Sequence, residues 1–246
     1  MLPIRDHNPS ERTPFVTYAL IALNVMIFLL QPSISGDDMA LASFWRNWAM
    51  IPAAVTQGGE YQGILTSMFL HAGIAHLAGN MLFLWIFGDN LEDQMGHFGF
   101  AVFYIASGIA AALAHIAADP GSVIPTVGAS GAIAGVMGGY LLLFPRARVD
   151  ILLIFIVFFR VFTIPAWIVL SFWFGLQIFS GWGVPSEGGG VAYWAHAGGF
   201  AAGIVLALPL WLRRGAQAFW QRTEGHPPHP EAQYSPSRIP RVQRRK

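Results

Sequence analysis

The sequence predicts an all-α membrane protein built as a bundle of six transmembrane helices. The 246 residues include 14 Lys or Arg and 13 Asp or Glu, so that 11% of the chain is charged, whereas a soluble domain carries about 25%. Hydrophobic residues make up 54% of the chain, which is enough for six spans of about 20 residues each. The absence of Cys excludes a disulfide framework, a thiolate nucleophile and a Cys metal site. This composition excludes an ordinary soluble domain.

Long apolar runs place the six predicted spans. The fourth run has 18 residues and reaches only about 27 Å as a helix, so we expect a short fourth helix whose N-terminus is sunk below the outer surface. The spans divide the chain into an N-terminal segment (1–13), a six-span domain (14–212) and a basic, Pro-rich tail (213–246) that we expect to be disordered. The six runs lie near residues 14–31, 64–87, 98–118, 127–144, 161–180 and 190–212.

The basic residues are distributed unequally between the two sides of the predicted bundle. Thirteen of the 14 lie in the termini and in the loops of one side, and Arg46 lies on the other. Because Lys and Arg collect in cytoplasmic loops, we expect both termini in the cytoplasm. A minimal six-span chain with this topology is typical of a prokaryotic plasma membrane, where we expect the protein. The thirteen are Arg5, Arg12, Arg146, Arg148, Arg160, Arg213, Arg214, Arg222, Arg238, Arg241, Arg244, Arg245 and Lys246.

Two segments lie outside the predicted helical core. Residues 32–63 hold Phe44, Trp45, Trp48 and Met50, which favours either a segment lying in the outer interface or an ordinary hydrated loop. The tail ends in RIPRVQRRK, which favours either contact with anionic lipid headgroups or a solvated tail without function.

Three of the eight His residues, His71, His76 and His196, lie within predicted spans. Polar side chains in hydrocarbon are unfavourable and often mark function, although a single buried His is more often a structural residue with satisfied hydrogen bonds. His196 is six residues into the sixth span, about 9 Å below the outer interface. The second, fourth and sixth spans all run inward from the outer side, so Ser130 on the sunken fourth helix is expected at a similar depth.

Small residues allow the fourth and sixth spans to pack closely. The fourth span begins with VGASGAIAGVMGGY and the sixth with GGVAYWAHAGGF, which places Gly131 and Gly199 on bare helix faces. Close packing would bring Ser130 next to His196, as proton abstraction from a serine hydroxyl by a neutral imidazole requires. The alternative is that Ser130 is only a packing residue or a helix cap.

The second span contains HAGIAHLAGN, in which His76 and Asn80 are four residues apart and share one helical face. On a helix that begins near Ile64 they would lie about 18 and 24 Å from its start. Their N–H groups, together with the backbone N–H of Ser130 near a helix start, could stabilise the oxyanion of a tetrahedral intermediate. The alternative for Asn80 is an interhelical hydrogen bond.

The motifs HAGIAHLAGN, GASGAIAG and AHAGGF, in this order on the second, fourth and sixth spans, resemble those of the rhomboid family of intramembrane serine proteases. The resemblance extends from about the first span to the sixth and implies a rhomboid-like bundle. The segment GDNLEDQMGH after the second span also resembles the family's structural turn, through Gly88, Glu92 and Gly96. We expect an architectural role for these three residues.

The resemblance also implies the roles of the site residues. Ser130 would be the nucleophile and His196 its general base, in a dyad without a third carboxylate. The sequence agrees, because no Asp or Glu lies in the second, fourth or sixth predicted span to orient the imidazole as a triad acid would.

The remaining positions of the motifs carry supporting roles in the family. His76 and Asn80 match its oxyanion-stabilising pair, and Gly128 matches the Gly of its GxSG motif. Gly131 and Gly199 are the supporting glycines of the two packed helices.

The sequence departs from the family's pattern in two ways. Many rhomboids carry Trp-Arg shortly before the second span, where this chain has Gln62 and Gly63. Some members carry a Tyr four residues after the serine, where it stacks on the histidine, and this chain has Ala134. The resemblance therefore does not identify what holds the His196 ring.

The predicted function is that of an intramembrane serine endopeptidase whose partners are membrane lipid and transmembrane-helix protein substrates. A substrate helix would enter from the bilayer and unwind near its outer end, because a helix hides its carbonyls in hydrogen bonds. The resemblance implies no cofactor, no metal and no nucleic acid. One alternative is a catalytically inactive rhomboid-like protein that binds membrane clients, which loss of Ser130 or His196 would favour. The other is a small-solute transporter, which mirrored internal repeats would favour.

Overall fold

The computed structural model describes residues 2–8, 10–32, 37–155, 158–183 and 191–228. The helices of these ranges are α1 (Phe15–Leu30), α2 (Asp38–Trp48), α3 (Pro52–Gly58), α4 (Gln62–Thr66), α5 (Ile74–Ala118), α6 (Ser130–Leu143), α7 (Ala166–Gly183), α8 (Tyr193–Arg213) and α9 (Gln217–Thr223). A 3-10 turn covers Ser67–Phe69, and the strands are β1 (Leu2–Asp6), β2 (Arg148–Phe155) and β3 (Phe158–Pro165).

Apolar helices form the bundle. α5, α7 and α8 are long and apolar enough to cross a membrane, and α1 and α6 are shorter apolar helices. The predicted all-α membrane bundle is therefore confirmed, and the chain is an integral membrane protein. The prediction that it crosses the membrane six times stays a prediction.

The 45-residue helix α5 folds back on itself at Gly96, where the backbone has φ 70° and ψ 162°. Leu91 and Phe103 lie on either side of this kink, and both come within 2.9 Å of the position that a Cβ on Gly139 would occupy. Twelve residues of straight helix would separate them by about 18 Å. The kink thus divides α5 into two apolar segments that both pack on α6.

The GDNLEDQMGH segment anchors α1 to α5, in agreement with an architectural role. Glu92 is buried, and its carboxylate accepts hydrogen bonds from the backbone N–H of Val16 at 2.9 Å and from the backbone N–H and hydroxyl of Thr17, both at 2.8 Å. These N–H groups belong to the first turn of α1, where they have no intrahelical acceptor. Gly88 allows the close approach, because a Cβ there would lie 3.1 Å from Oγ1 of Thr17.

Helices α6 and α8 pack backbone to backbone at the centre of the bundle. A Cβ on Gly199 would overlap the carbonyl oxygen of Gly131, and a Cβ on Gly203 would overlap that of Gly135. α6 is buried along nearly its whole length, and its 14 residues rise only about 21 Å. α6 is therefore the short fourth apolar helix, and it lies at the centre of the fold.

The helix of the second predicted span begins at Ile74, so the prediction of a start near Ile64 is wrong. The side-chain amide of Gln31 donates to the carbonyl of His71 at 2.8 Å and accepts from the backbone N–H of His71 at 3.0 Å. This segment of backbone is therefore bonded to α1 rather than to its own helical turns. As a result His71 lies in a loop before α5, not within a helix.

The later start of α5 also corrects the predicted depths of His76 and Asn80. They follow Ile74 by two and six residues, about 3 and 9 Å along the helix, instead of the predicted 18 and 24 Å. Both residues consequently lie near the start of α5, as Ser130 lies at the start of α6.

The chain also contains a three-stranded antiparallel sheet that the sequence analysis did not predict. β2 and β3 form a hairpin, and the N-terminal strand β1 pairs with β2. Arg5 and His7 contact the carboxylate of Asp150 at 2.7 and 2.8 Å, which joins the N-terminus to the hairpin.

The sheet corrects the start of the fifth predicted span. β3 extends to Pro165 and α7 begins at Ala166, so the prediction of a helix from residue 161 is wrong by five residues. The run FFRVFTIP is rich in aromatic and β-branched residues, which favour a strand, and hydropathy alone does not distinguish such a strand from the start of a helix.

Part of the tail predicted to be disordered is folded. α9 covers Gln217–Thr223, Phe219 within it is buried, and Nε1 of Trp220 donates to the carbonyl of Leu142 at 3.0 Å. These two aromatic residues supply an apolar contact. The prediction used the average composition of the whole tail, which is rich in Pro and Arg, and so did not identify this contact. The part of the prediction that concerns residues 229–246 lies outside the described residues.

Gly203→Ala tests the backbone contact of α6 with α8. The added Cβ would meet the backbone of Gly135, which cannot move as a flexible side chain can, so we expect the free energy of unfolding to fall by about 1–3 kcal/mol. The measurement is thermal unfolding in detergent. Gly175→Ala on α7 is the control, because a Cβ there meets nothing within 4 Å. Equal unfolding midpoints for the two variants would contradict the described contact.

Asp6 is a buried carboxyl group at the junction of the sheet and the bundle. The hydroxyl of Tyr140 donates to its Oδ2 at 3.0 Å, and the side-chain amide of Asn90 donates to the same oxygen at 2.7 Å. Burial, and then the charge of Asp89, raise the pKa of Asp6 from 3.8 to about 8. The folded state therefore retains a proton on Asp6 that the unfolded state releases.

Asp6→Asn is expected to reduce the pH dependence of stability. In the wild type the unfolded chain loses the Asp6 proton near pH 4 and the folded chain near pH 8, so stability falls as pH rises through this window and levels off above it. The asparagine side chain of the variant cannot ionise, whereas Asp89 remains in both proteins. Unfolding midpoints compared at pH 5 and pH 8 should therefore fall less in the variant. Parallel falls in the two proteins would contradict the raised pKa of Asp6.

Candidate active site

Ser130 and His196 lie at the same end of two adjoining helices. Ser130 is the first residue of α6, and His196 is the fourth residue of α8. The two helices contact each other at Gly131 and Gly199. Gly131 lies within one helical turn of Ser130, and Gly199 lies within one turn of His196. As a result Oγ of Ser130 lies 2.7 Å from Nε2 of His196.

The His196 ring is held from α7. Its Nδ1 lies 2.8 Å from Oε1 of Gln177. The ring of Trp173, also on α7, lies 5.6 Å from the imidazole between centroids, at an interplanar angle of 32°. The position on α6 where some rhomboids have a stacking Tyr holds Ala134, which is buried. The support that the sequence left unidentified therefore comes from a different helix.

Asn80 and His76 face the same site from α5. Asn80 is buried, and its Nδ2 has no hydrogen-bond partner among the described residues. Gly128 lies between His76 and Ser130: a Cβ there would be 2.9 Å from the His76 ring and 3.4 Å from Oγ of Ser130. Its φ of 135° also favours glycine. Gly128 therefore permits both the turn before α6 and the close approach of the imidazole.

One cavity of about 940 Å³ connects these side chains. Ser130, His196, His76 and Asn80 all line it, so the structure brings together the four residues predicted to carry the chemistry. Its volume lies in the range of about 300–1,000 Å³ that is usual for ligand sites. Ser130 and His196 are only partly buried, which leaves the hydroxyl and the imidazole open to the cavity.

His71 is not one of the residues that line this cavity. It is fully buried, and its ring meets that of His76 edge-on at 5.2 Å between centroids. Neither ring nitrogen of His71 has a hydrogen-bond partner within the described part of the chain. His71 therefore supports the position of His76 by packing.

The sequence analysis missed two polar residues of the site, Gln177 and His115. His115 lines the cavity, and its Nε2 lies 3.1 Å from Oγ1 of Thr126. Gln177 stands in the apolar run FWFGLQIFS, so a search of the spans for every polar side chain, rather than for His and Asn, would have found it. Across the described ranges, no group of three or more His, Asp or Glu side chains could hold a metal ion.

The apolar helices hold a serine hydroxyl and an imidazole in one cavity. The protein is therefore an integral membrane protein with a Ser–His site. The Rhomboid domain matches residues 58–213, which is more than half of the chain. The chain therefore belongs to the rhomboid family.

Relatives are found in bacteria and eukaryotes. Rhomboid protease GluP of Bacillus subtilis is 38% identical over 128 residues, 52% of this chain and 24% of that protein. Rhomboid protein 1, mitochondrial, of Saccharomyces cerevisiae is 30% identical over 200 residues, 77% of this chain and 51% of that protein. RHOMBOID-like protein 6, mitochondrial, of Arabidopsis thaliana is 38% identical over 112 residues, 46% of this chain and 34% of that protein. The matches thus span between about a quarter and half of the lengths of these relatives.

Proposed function

We propose that this chain is an intramembrane serine endopeptidase that cleaves transmembrane segments of membrane proteins. The observation that carries the proposal is the 2.7 Å separation of Ser130 Oγ from His196 Nε2 at the wall of a cavity that also holds His76 and Asn80. A relative named as a rhomboid protease supports it.

In the proposed reaction the imidazole acts first as a base and then as an acid. Nε2 of His196 takes the hydroxyl proton while Oγ of Ser130 attacks the carbonyl carbon of the scissile peptide. The C–N bond then breaks as His196 gives the proton to the leaving amine, which leaves an acyl ester on Ser130. Water, deprotonated by the same imidazole, hydrolyses the ester and restores the serine.

Three kinds of N–H donor are available for the oxyanion of the tetrahedral intermediate. The amide of Asn80 has an unused donor in a buried position, the ring of His76 lines the cavity, and the backbone N–H of Ser130 belongs to the first turn of α6, where no intrahelical acceptor exists. Donors arranged before the substrate arrives stabilise developing negative charge without reorganisation.

Substrate access is proposed from the bilayer, along α7. Only 17% of the most apolar stretch of α7 is buried inside the protein, compared with 44% for α5 and 39% for α8. Phe83 of α5 and Trp173 of α7 both line the cavity, so a substrate helix that enters between these two helices would reach Ser130. A substrate helix entering there must expose a carbonyl, so segments with Gly, Pro or polar residues near the outer end should be preferred.

The sheet and the charges support an orientation with the site near the outer face. The site lies at the N-terminal end of α6, and β2 follows the C-terminal end, so the sheet and the site occupy opposite ends of this helix. Pairing of β1 with β2 places Arg5 on the same side as Arg146 and Arg148. Because basic residues collect on the cytoplasmic side, we place the sheet in the cytoplasm.

The first test is labelling of the full chain in detergent with a fluorophosphonate probe. We expect the wild type to be labelled at Ser130, Ser130→Ala to lose the label, and His196→Ala to be labelled about 10²–10⁴-fold more slowly, since the general base is missing. Ser107→Ala, which removes a different buried hydroxyl of the bundle, should be labelled as the wild type is. Peptide mass spectrometry identifies the labelled residue.

Two results of this labelling would contradict the proposal. Label that survives Ser130→Ala would place the nucleophile elsewhere. A folded wild type that takes no label would favour the other candidate, a rhomboid-like protein that binds membrane clients without cleaving them.

Asn80→Leu tests the oxyanion donors. Loss of one such donor lowers kcat by about 10²–10³-fold, whereas stability should be unchanged or higher, because the amide nitrogen removed is buried without a partner among the described residues. The measurements are cleavage of a reporter transmembrane segment and thermal unfolding. Asn24→Ala is the matched control, since its amide donates to the carbonyl of Leu20 at 2.8 Å within α1 and should lower stability but not kcat. A kcat that is unchanged in Asn80→Leu would remove Asn80 from the proposed mechanism.

A further inference from the structure

Gln177 contacts the side of the His196 ring that faces away from Ser130. Its Oε1 lies 2.8 Å from Nδ1 of His196, while Nε2 of the same ring lies 2.7 Å from Oγ of Ser130. We propose that Gln177 is a positioning residue that holds His196 as the Nδ1–H tautomer, with the lone pair of Nε2 aimed at Ser130. This inference rests on the function proposed above and adds an uncharged third member to the dyad.

The orientation of the Gln177 amide determines which of its groups His196 meets. The amide nitrogen donates to the backbone carbonyl of Trp173, about one turn earlier on α7, at 3.4 Å. A backbone carbonyl can only accept, so the nitrogen faces Trp173 and the oxygen faces His196. Because the amide oxygen is itself only an acceptor, Nδ1 of His196 has to donate to it.

The proton on Nδ1 makes Nε2 the basic nitrogen. A neutral imidazole has one N–H group and one acceptor nitrogen, so Nε2 is free to accept the hydroxyl of Ser130. The opposite tautomer would set two acceptors, Nδ1 and Oε1 of Gln177, against each other at 2.8 Å. Gln177 therefore disfavours the tautomer that cannot take the serine proton.

The burial of Gln177 is consistent with a specific role. It is 8% exposed, although α7 is the least buried of the three long apolar helices. Ala166, Leu170 and Gln177 are the buried residues of α7, and their spacing forms one inward stripe. A buried polar side chain among apolar helices is unfavourable unless it is hydrogen-bonded. Gln177 meets this condition through His196 and Trp173.

An amide differs from the carboxylate of a catalytic triad because it carries no charge. It orients the ring and selects the tautomer, but it does not offset the positive charge of the imidazolium that forms during the reaction. Loss of the Gln177 amide should therefore reduce kcat, which depends on the orientation of the base, and leave KM largely unchanged. His76 and His115 are ionisable side chains that line the cavity with His196.

The test compares Gln177→Met, Gln177→Glu and the wild type in two measurements. Met keeps the length of the side chain and removes the acceptor, whereas Glu keeps an acceptor oxygen for Nδ1. The first measurement is kcat and KM for cleavage of a reporter transmembrane segment. The second is ¹⁵N NMR of histidine-labelled full chain, in which the His196 signals are those missing from His196→Ala. Ser171→Ala, at an exposed position of α7, is the control for substitution of a polar residue on this helix.

We expect kcat to fall by about ten- to a hundredfold in Gln177→Met, as for loss of one orienting hydrogen bond, with KM within about twofold. Gln177→Glu should recover a large part of the rate, and Ser171→Ala should match the wild type. The ¹⁵N spectrum should show a protonated Nδ1 and an unprotonated Nε2 for His196 in the wild type, and a mixture of tautomers in Gln177→Met.

A wild-type kcat in Gln177→Met would overturn the inference, and so would a His196 protonated on Nε2 in the wild type. A rate lost in Gln177→Met and equally in Gln177→Glu, with the tautomer unchanged, would show a merely structural role. Failure of the proposed function is distinguishable, because a wild type without Ser130 labelling still reports its His196 tautomer in the spectrum.

Discussion

The backbone contact of α6 with α8 is the constraint on which the site depends. Gly131 and Gly135 on one helix meet Gly199 and Gly203 on the other with no room for a side chain between them. Protein hydrogen bonds have donor–acceptor distances of about 2.5–3.2 Å. The distance between the Ser130 hydroxyl and the imidazole is therefore set by how closely two helix backbones approach, and glycine is the residue that permits this approach.

Two groups of polar side chains lie at opposite ends of the bundle. At one end, Ser130, His76 and His196 lie in the first turns of three helices around a cavity. At the other end, Glu92 caps α1 and Asp6 receives hydrogen bonds from Tyr140 and Asn90. The apolar helices between them carry the packing, so chemistry and architecture are separated along the direction of the helices.

Glu92 and Asn80 differ in how completely their side chains are bonded. Both oxygens of the Glu92 carboxylate accept hydrogen bonds from α1. At the cavity, by contrast, the buried amide nitrogen of Asn80 lacks a partner among the described residues, a condition that is unfavourable by about 1–3 kcal/mol. In the proposed reaction, the oxyanion of the tetrahedral intermediate is the acceptor for this donor.

The order and direction of the apolar runs were enough to predict the helical bundle and the meeting of Ser130 with His196. The roles of His76 and Asn80 came from the resemblance to rhomboid motifs, because their depths along the helix were predicted wrongly. The exact ends of the helices were not predicted, because hydropathy does not report that Gln31 bonds the backbone of His71 or that residues before Ala166 pair in a sheet. Gln177 was missed for a related reason. Its role depends on contact with a histidine 19 residues away on another helix, which only the packing of α7 on α8 creates.

The most direct measurement of the central geometry uses Ser130→Cys, because the chain contains no Cys of its own and the new thiol is the sole target of an alkylating agent. An imidazole beside a thiol promotes the thiolate, which is the reactive form. The account predicts fast alkylation near pH 7 by a small, water-soluble iodoacetamide, and much slower alkylation when His196→Ala is added. A thiol that does not react, or that reacts equally fast without the imidazole, would contradict the placement of Ser130 beside His196 in a cavity that water reaches.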